Sequence, residues 1–320
     1  MPDKYRPRRS CLSVPASSER FIAKARDLPA DEVFLDLEDA VAPAAKDAAR
    51  RHAVAALTSG SWRARTRAVR VNDATTAWAY QDVVALAEGA GDGLDVIVLP
   101  KVTDPGHIVW LDLLLTQLER ATGRDRDPIG IDAQIEDAQG LARVEAIAAA
   151  SGRLEALVFG PADFMASVGM PSLSVGQADS GYAGDAFHYP LMRILVAARA
   201  HGLQAIDGPY VKVRDTEGFR RAAASVAALG FDGKWVLHPD QIAAANETFT
   251  PGQADYDHAE LVLDAYDHAT TVDQRGAVML NDAMIDEAMR KMALRVAVKG
   301  RAAGLERHQE SFTPPTPPSP

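Results

Sequence analysis

Two short apolar runs of this chain each end in a carboxylate: Gly130-Ile131-Asp132-Ala133-Gln134-Ile135-Glu136, and Leu154-Glu155-Ala156-Leu157-Val158-Phe159-Gly160-Pro161-Ala162-Asp163. A helical stretch lies between them, so Glu136 and Asp163 should close neighbouring parallel strands and turn two oxygen ligands toward one spot. A hard divalent cation, Mg2+ or Mn2+, takes that arrangement: one or two carboxylates, with waters and substrate filling the other positions. Each acid could instead cap the helix that follows it. Their place on adjacent strands favours the metal.

Other polar residues fall at the ends of apolar runs in the same way. Asp36, Glu38 and Asp39 follow the second run, Arg70 and Asn72 the third, Lys101 the fourth, Asp207 the seventh and His238 the eighth. Arg70, flanked by Val69 and Val71, is hard to place except in a polar mouth, where its permanently charged fork suits a carboxylate or a developing oxyanion. Its other role is a salt bridge to Asp36 or Glu38, and both roles can hold together. Asp36 is expected to orient Arg70, while Glu38 and Asp39 either touch substrate or back the residues that do. Lys101 could form a Schiff base, but beside a metal pair a structural or electrostatic role is favoured. His238 reads as a hydrogen-bonded wall residue. Asp207-Gly208 reads as a tight turn shaping the mouth. Cys11, among apolar neighbours, reads as buried filler rather than a nucleophile.

Eight β-prone runs alternating with helical patterns must position these residues. They are expected over Cys11–Val14, Glu32–Glu38, Ala68–Asn72, Asp95–Lys101, Ile129–Glu136, Leu154–Gly160, Gln204–Asp207 and Gly233–His238. One helix is expected over Gly140–Ala150, and a Gly/Ser-rich loop over residues 169–187. Eight is the number that closes a (β/α)8 barrel, whose active site lies at the carboxyl ends of its strands. A doubly wound open sheet shows the same alternation. No glycine fingerprint of the dinucleotide or P-loop type follows any strand, which disfavours it.

With 320 residues, 47% hydrophobic and 24% charged, the chain can hold one barrel of about 250 residues plus an appendage. We expect a catalytic barrel over residues 1–248, a helical lid and oligomerisation segment over 249–304, and a disordered proline-rich tail over 305–320. The net charge of -10 argues against a nucleic-acid partner. The single cysteine excludes an internal disulfide framework and suits a reducing cytoplasm. No apolar run approaches the ~20 residues needed to cross a bilayer, and Met1 to Arg6 carry no apolar signal core.

Taken in order, Phe34-Leu35-Asp36-Leu37-Glu38-Asp39-Ala40-Val41, Arg70-Val71-Asn72, Leu99-Pro100-Lys101, Ile135-Glu136, Phe159-Gly160-Pro161-Ala162-Asp163 and Trp235-Val236-Leu237-His238-Pro239-Asp240-Gln241 resemble the HpcH/HpaI aldolase–citrate lyase β-subunit family. Within it they look most like the stand-alone CoA-ester lyases of the malyl-CoA and β-methylmalyl-CoA type. The resemblance runs from about residue 8 to residue 300 and is more specific for family than for substrate. It implies a (β/α)8 TIM barrel with a C-terminal helical lid extension, Mg2+ on Glu136 and Asp163, and Arg70 as a substrate arginine. In those lyases a C-terminal segment folds over a neighbouring subunit's mouth and brings in an aspartate from a Met-Ile/Val-Asp motif. Here the motif is Met284-Ile285-Asp286, so the resemblance gives that role to Asp286, in a homotrimer or hexamer. Two departures stand out. Asp137-Ala138-Gln139-Gly140 replaces the Thr or Ser, then Pro or Ala, of many relatives, which bears on the acyl group. Asn281-Asp282 replaces an Asp-Gly before the lid motif.

The reaction so implied is cleavage, or Claisen-type formation, of a 3-hydroxyacyl-CoA acid such as L-malyl-CoA or β-methylmalyl-CoA, with glyoxylate plus acetyl- or propionyl-CoA as products. Mg2+ would bind the 2-oxo acid, glyoxylate or pyruvate, as Lewis acid and template. Arg70 would stabilise the enolate oxygen, and Asp286 would move the α-proton. Coenzyme A enters as part of the substrate, and its phosphates need cations. Arg8 and Arg9 before the first strand, with Lys46 and Arg50 on the second helix, are the candidates, although charges on a solvated helix often have no role. The alternatives are a malyl- or citramalyl-CoA thioesterase, a citramalyl-CoA or citryl-CoA lyase, and a non-catalytic CoA-ester-binding subunit.

Overall fold

The structure, a computed structural model, describes residues 5–124, 127–171, 175, 184–280, 283–308 and 312. The chain forms two compact units, one over Arg8–Phe249 and one from Thr250 onward together with the residues before Arg8.

In the first unit, eight parallel strands close a barrel in chain order: β1 (Ser10–Pro15), β2 (Glu32–Asp36), β3 (Thr66–Arg70), β4 (Val96–Leu99), β5 (Gly130–Ile135), β6 (Leu154–Phe159), β7 (Gln204–Asp207) and β8 (Gly233–Val236). The pairing of Ser10 to Leu12 with Lys234 to Val236 closes the ring. Parallel neighbours need long crossovers, and helices supply them: α1 (Glu19–Ala25), α2 (Lys46–Thr58), α3 (Ala79–Gly89), α4 (Pro105–Thr122), α5 (Ala138–Ala142), α6 (Val144–Ala148), α7 (Pro161–Ser167), α8 (His188–Ala200), α9 (Thr216–Leu229) and α10 (Pro239–Phe249). Local signals set their ends. Asp104 caps α4 ahead of Pro105, and Gly123 stops it with a left-handed φ of 67°, a conformation glycine adopts without a Cβ penalty.

Side chains alternate across each strand. The outward set, including Leu35, Val69, Ile97, Ala133, Leu157 and Val236, packs under the helices as the main core. The inward set fills the barrel in tiers. Arg8, Glu32, Asp132 and Gln204 form the base. Phe34, Val96, Val98, Val158, Ile206 and Trp235 form an apolar middle, where Phe34 and Trp235 meet edge to face at 4.6 Å. Such a pair adds about 0.5–1.5 kcal/mol beyond its buried area. Asp36, Arg70, Gln134 and Glu136 form a buried polar top.

The closed barrel fulfils the expected fold class. Several boundaries differ. The expected strands overran: Glu38, Asn72, Lys101, Glu136 and His238 lie just past the last laddered residue, where the chain turns across the mouth. The helix expected over Gly140–Ala150 is two short helices broken at Arg143. The loop expected over 169–187 falls largely outside the described residues.

The second unit holds α11 (Gln253–Thr271), the antiparallel strands β9 (Val278–Leu280) and β10 (Ala283–Ile285), and α12 (Glu287–Ala303). An isolated pair of strands is marginal in water. Here Leu280 and Ile285 are buried with Ala259, Val262, Ala265, Ala293 and Ala297 of the two helices. These strands stand inside the segment expected to be helical, since periodicity could not reveal strands this short. Asn281 and Asp282 lie outside the described residues, as does most of the tail. Residues 305–308, expected within that tail, are tied to α11 by Arg307–Asp264 at 2.6 Å and by the His308 N–H on Asp257 at 3.0 Å. Among the described residues no helix is long and apolar enough to cross a membrane.

Candidate active site

The carboxyl ends of β2 to β6 carry the site. Arg70, at the end of β3, lies inside the top of the barrel and is 7% exposed. Its guanidinium donates two parallel bonds to Asp36 at the end of β2, Nε to Oδ1 at 2.8 Å and Nη2 to Oδ2 at 2.7 Å. The ring of Trp235 on β8 lies beneath it, 4.9 Å from centroid to guanidinium carbon. Nη1 forms an ion pair with Glu38 Oε2 at 3.0 Å, but off the N–H axis, and that buried oxygen has no hydrogen-bond donor. Burial opposes the Arg70 charge, yet the bonds to Asp36 and the Glu38 charge raise its pKa above the usual arginine range. Burial pushes the Glu38 carboxyl up, with Arg70 and Lys101 pulling it back. Asp36 also accepts the Glu38 N–H at 2.9 Å, so one carboxylate fixes both Arg70 and the loop beyond β2.

Lys101 joins the two halves of the site. Its ammonium donates to Glu38 Oε1 and pairs with Asp39 at 3.3 Å. Its backbone is left-handed, with φ 51°, which costs a non-glycine residue about 1–3 kcal/mol. The Lys101 N–H donates to Glu136 Oε1, 2.8 Å away. Glu136 Oε2 accepts the Gln134 side-chain amide. Asp163 sits in the first turn of α7, close enough that its charge acts on both Glu136 and Lys101. Gly160, the residue before α7, makes the approach possible: a Cβ there would stand 2.3 Å from Glu136 Oε2.

This pair fits a hard divalent cation. Two carboxylates match the pattern that Mg2+ takes when waters and substrate complete its shell; among the described residues no three histidine, cysteine or carboxylate groups gather into a cage. Glu136 is 2% exposed. Burial first, then the Asp163 charge, pushes its carboxyl up to about 8, against the Lys101 N–H. The buried Gln134 Oε1 beside it has no donor. A cation held by Glu136 and Asp163 would supply the positive charge that makes the ionised form favourable there.

Glu136 holds its proton more tightly folded than unfolded, where its ordinary value is 4.5. The folded, metal-free protein therefore loses stability as pH rises through the window from about 4.5 to about 8, by at most ~1.4 kcal/mol per unit. Thermal melts in EDTA should fall between pH 5 and 8. Mn2+ affinity should rise about tenfold per unit below pH 8, because proton and cation compete for one carboxylate. A metal affinity that is flat from pH 6 to 8 would contradict this.

The four phosphate-binding candidates need correction. Arg8 is 1% exposed and lies at the opposite, amino-terminal end of the barrel, bonded to Glu32 at 2.9 Å, Asp132 at 3.1 Å and Glu155 at 2.7 Å, and to Gln204. Arg9 is at the same end, paired with Asp31 at 2.7 Å. Lys46 is buried, with all three ammonium donors used on the Leu37 and Glu38 carbonyls and Asn72 Oδ1. Arg50 bonds Asp82 at 2.8 Å and Asp47 at 3.0 Å, bracing α2 against α3. The exposed cation in the first turn of α1, at the mouth end of β1, is instead Arg20; Lys24 lies in the last turn of that helix.

The other sequence candidates divide. His238 bonds only locally, its Nδ1 accepting the Asp240 N–H at 3.3 Å. Asp207 pairs with Lys234 on the helix side of the sheet. Asp286, in the second unit, caps α12 by accepting the Met289 N–H at 3.0 Å. Gln134 and Trp235 were missed. The signal for Gln134 was present, since Asp132, Gln134 and Glu136 alternate along β5 and must share its inward face.

Comparison with known proteins identifies the family. The profile of the HpcH/HpaI aldolase/citrate lyase family matches residues 9–239. An L-malyl-CoA/beta-methylmalyl-CoA lyase of Cereibacter sphaeroides is 40% identical over 301 residues, covering 91% of this chain and 94% of that one. The citrate lyase subunit beta of Escherichia coli is 32% identical over 302 residues, covering 94% and 96%. Among solved structures, CitE of Mycobacterium tuberculosis in complex with magnesium, acetoacetate and coenzyme A gives a TM-score of 0.68 at 30% identity, over 93% of this chain and 98% of that one. The chain thus belongs to the HpcH/HpaI aldolase/citrate lyase family.

Proposed function

We propose that the protein is a divalent-metal-dependent carbon–carbon lyase that cleaves, or forms by Claisen-type condensation, a 3-hydroxyacyl-CoA acid of the malyl-CoA or β-methylmalyl-CoA type. The observation that carries this reading is the buried Glu136, coupled to Asp163 and set beside the Arg70–Asp36 fork at one barrel mouth. The names of the relatives and the ligands of the CitE complex support the substrate class.

Magnesium bound by Glu136 and Asp163 would act as a Lewis acid toward the carbonyl of the 2-oxo acid. Arg70, locked by Asp36 and Trp235, presents a fixed positive charge where an enolate oxygen develops, and needs no reorganisation to do so. Glu38 and Lys101 hold that charge and the Glu136 carboxylate in register. Asp286, as general base in the condensing direction, takes the α-proton of the acyl thioester and returns it on cleavage. We place Asp286 at the mouth of a neighbouring subunit, in a homotrimer or hexamer that sedimentation would report, and the enzyme in the cytoplasm. Arg20 is our choice for the CoA phosphates.

Incubation with malyl-CoA, Mg2+, a thiol reagent and phenylhydrazine tests the reaction. Glyoxylate phenylhydrazone without free thiol is the expected result; free thiol without glyoxylate would make the protein a thioesterase, and neither product would leave a binding subunit. Pyruvate from citramalyl-CoA under the same conditions would move the acyl acceptor by one methyl group. Asp286→Asn keeps a good helix cap and removes the base. It should lower turnover by about two or more orders of magnitude with Mn2+ affinity and melting temperature unchanged. Near-parent turnover would take Asp286 out of the mechanism.

A further inference from the structure

The ladder between β6 and β7 ends at Val158 and Ile206, and two residue pairs, Ile206 with Gly233 and Asp207 with Lys234, join β7 to β8. Five pairs join β1 to β2. The strand ends nearest Asp163 are thus joined by few ladder pairs. Lys234, 4% exposed, points to the helix side of the sheet. There it lines a cavity of about 220 Å3 with Asp207, Phe159, Pro161, Phe187 and Leu191. Its ammonium donates to Asp207 Oδ2 and, at 2.7 Å, to the Gly208 carbonyl.

Gly208 in turn lies flush against the segment that carries Asp163. A Cβ built there would stand 2.2 Å from Pro161 Cδ and 2.5 Å from the Phe159 carbonyl. Pro161 opens α7, two residues before Asp163, and Gly160 presses on Glu136 by the contact described above. A continuous chain of contacts runs from Lys234 through Gly208 and Pro161 to both acids. A buried ion pair is often no more stabilising than an apolar pair of like volume, so packing alone does not call for lysine. The bond to the Gly208 carbonyl is what the ammonium adds.

We propose that Lys234, braced by Asp207, is a positioning residue for the metal site: it clips the end of β7 onto the Gly160–Asp163 turn and so sets the spacing of Glu136 and Asp163. This rests on reading those two acids as the metal ligands. The test is Mn2+ titration followed by electron paramagnetic resonance, alongside thermal melts. The double variant Lys234→Met/Asp207→Leu replaces the ion pair with apolar volume and releases Gly208. It is expected to melt near the parent and to bind Mn2+ at least tenfold more weakly. Lys234→Gln, one bond shorter, keeps a donor for Asp207 and gives up the Gly208 carbonyl; the same weakening is expected, and it decides the matter if the double variant does not fold. Parent-like Mn2+ affinity in the folded variants overturns the proposal. Glu136→Gln, titrated in parallel, separates the two ideas. If it abolishes binding while the Lys234 variants do not, the clip alone is wrong. If it leaves binding intact, the ligand assignment is wrong and the clip falls with it.

Discussion

Glu136→Gln is expected to abolish divalent-metal binding and to lower turnover by about three or more orders of magnitude, while the metal-free protein becomes more stable at pH 8. Lewis-acid stabilisation is worth several kcal/mol, and each 1.36 kcal/mol is tenfold in rate. The gain in stability has a separate cause. The parent carboxyl must ionise at a site where burial and Asp163 hold it up to about 8, and the amide never ionises. Its new NH2 group would face the Gln134 amide nitrogen, but Gln134 Oε1 is without a donor, so a flip of that amide restores the bond. Melts in EDTA and Mn2+ titrations at pH 8 check both halves. A variant that still binds Mn2+ like the parent would remove the metal site from residue 136.

Arg70→Lys should lower kcat/KM by about two to three orders of magnitude, the scale of losing one fixed donor to a developing oxyanion. Lysine keeps the charge but not the fork that grips Asp36 through two atoms, nor the planar face that lies over Trp235. Arg70→Met is a harsher change. Asp36 and Glu38 are buried at 0% and 4% exposure, and removing their shared cation should cost about 3–5 kcal/mol of stability. Steady-state kinetics with urea melts separate the two effects. An Arg70→Lys enzyme within tenfold of the parent would mean that the metal alone carries the developing charge.

The barrel was legible because its outward residues form eight apolar runs, and a closed ring of eight buries them all. The Arg70–Asp36 bond was legible for a similar reason: charged residues closing adjacent apolar strands have only one mouth to share. Arg8 and Lys46 misled because a list of cations does not reveal depth. The partners of Arg8 lie 24 to 196 residues away, and no local pattern announces them. Lys101 hid in a different way. Its contribution to Glu136 is made by its backbone N–H, and side-chain chemistry carries no trace of that.

Arg8 bears on how the barrel comes apart. One guanidinium reaches acceptors on β2, β5, β6 and β7, so it ties together strands from both halves of the sequence. A fragment ending before residue 204 would leave that knot open at the floor of an unclosed sheet. Successive βα pieces therefore cannot peel away one at a time at little cost, and unfolding should occur as a single concerted collapse of the whole ring.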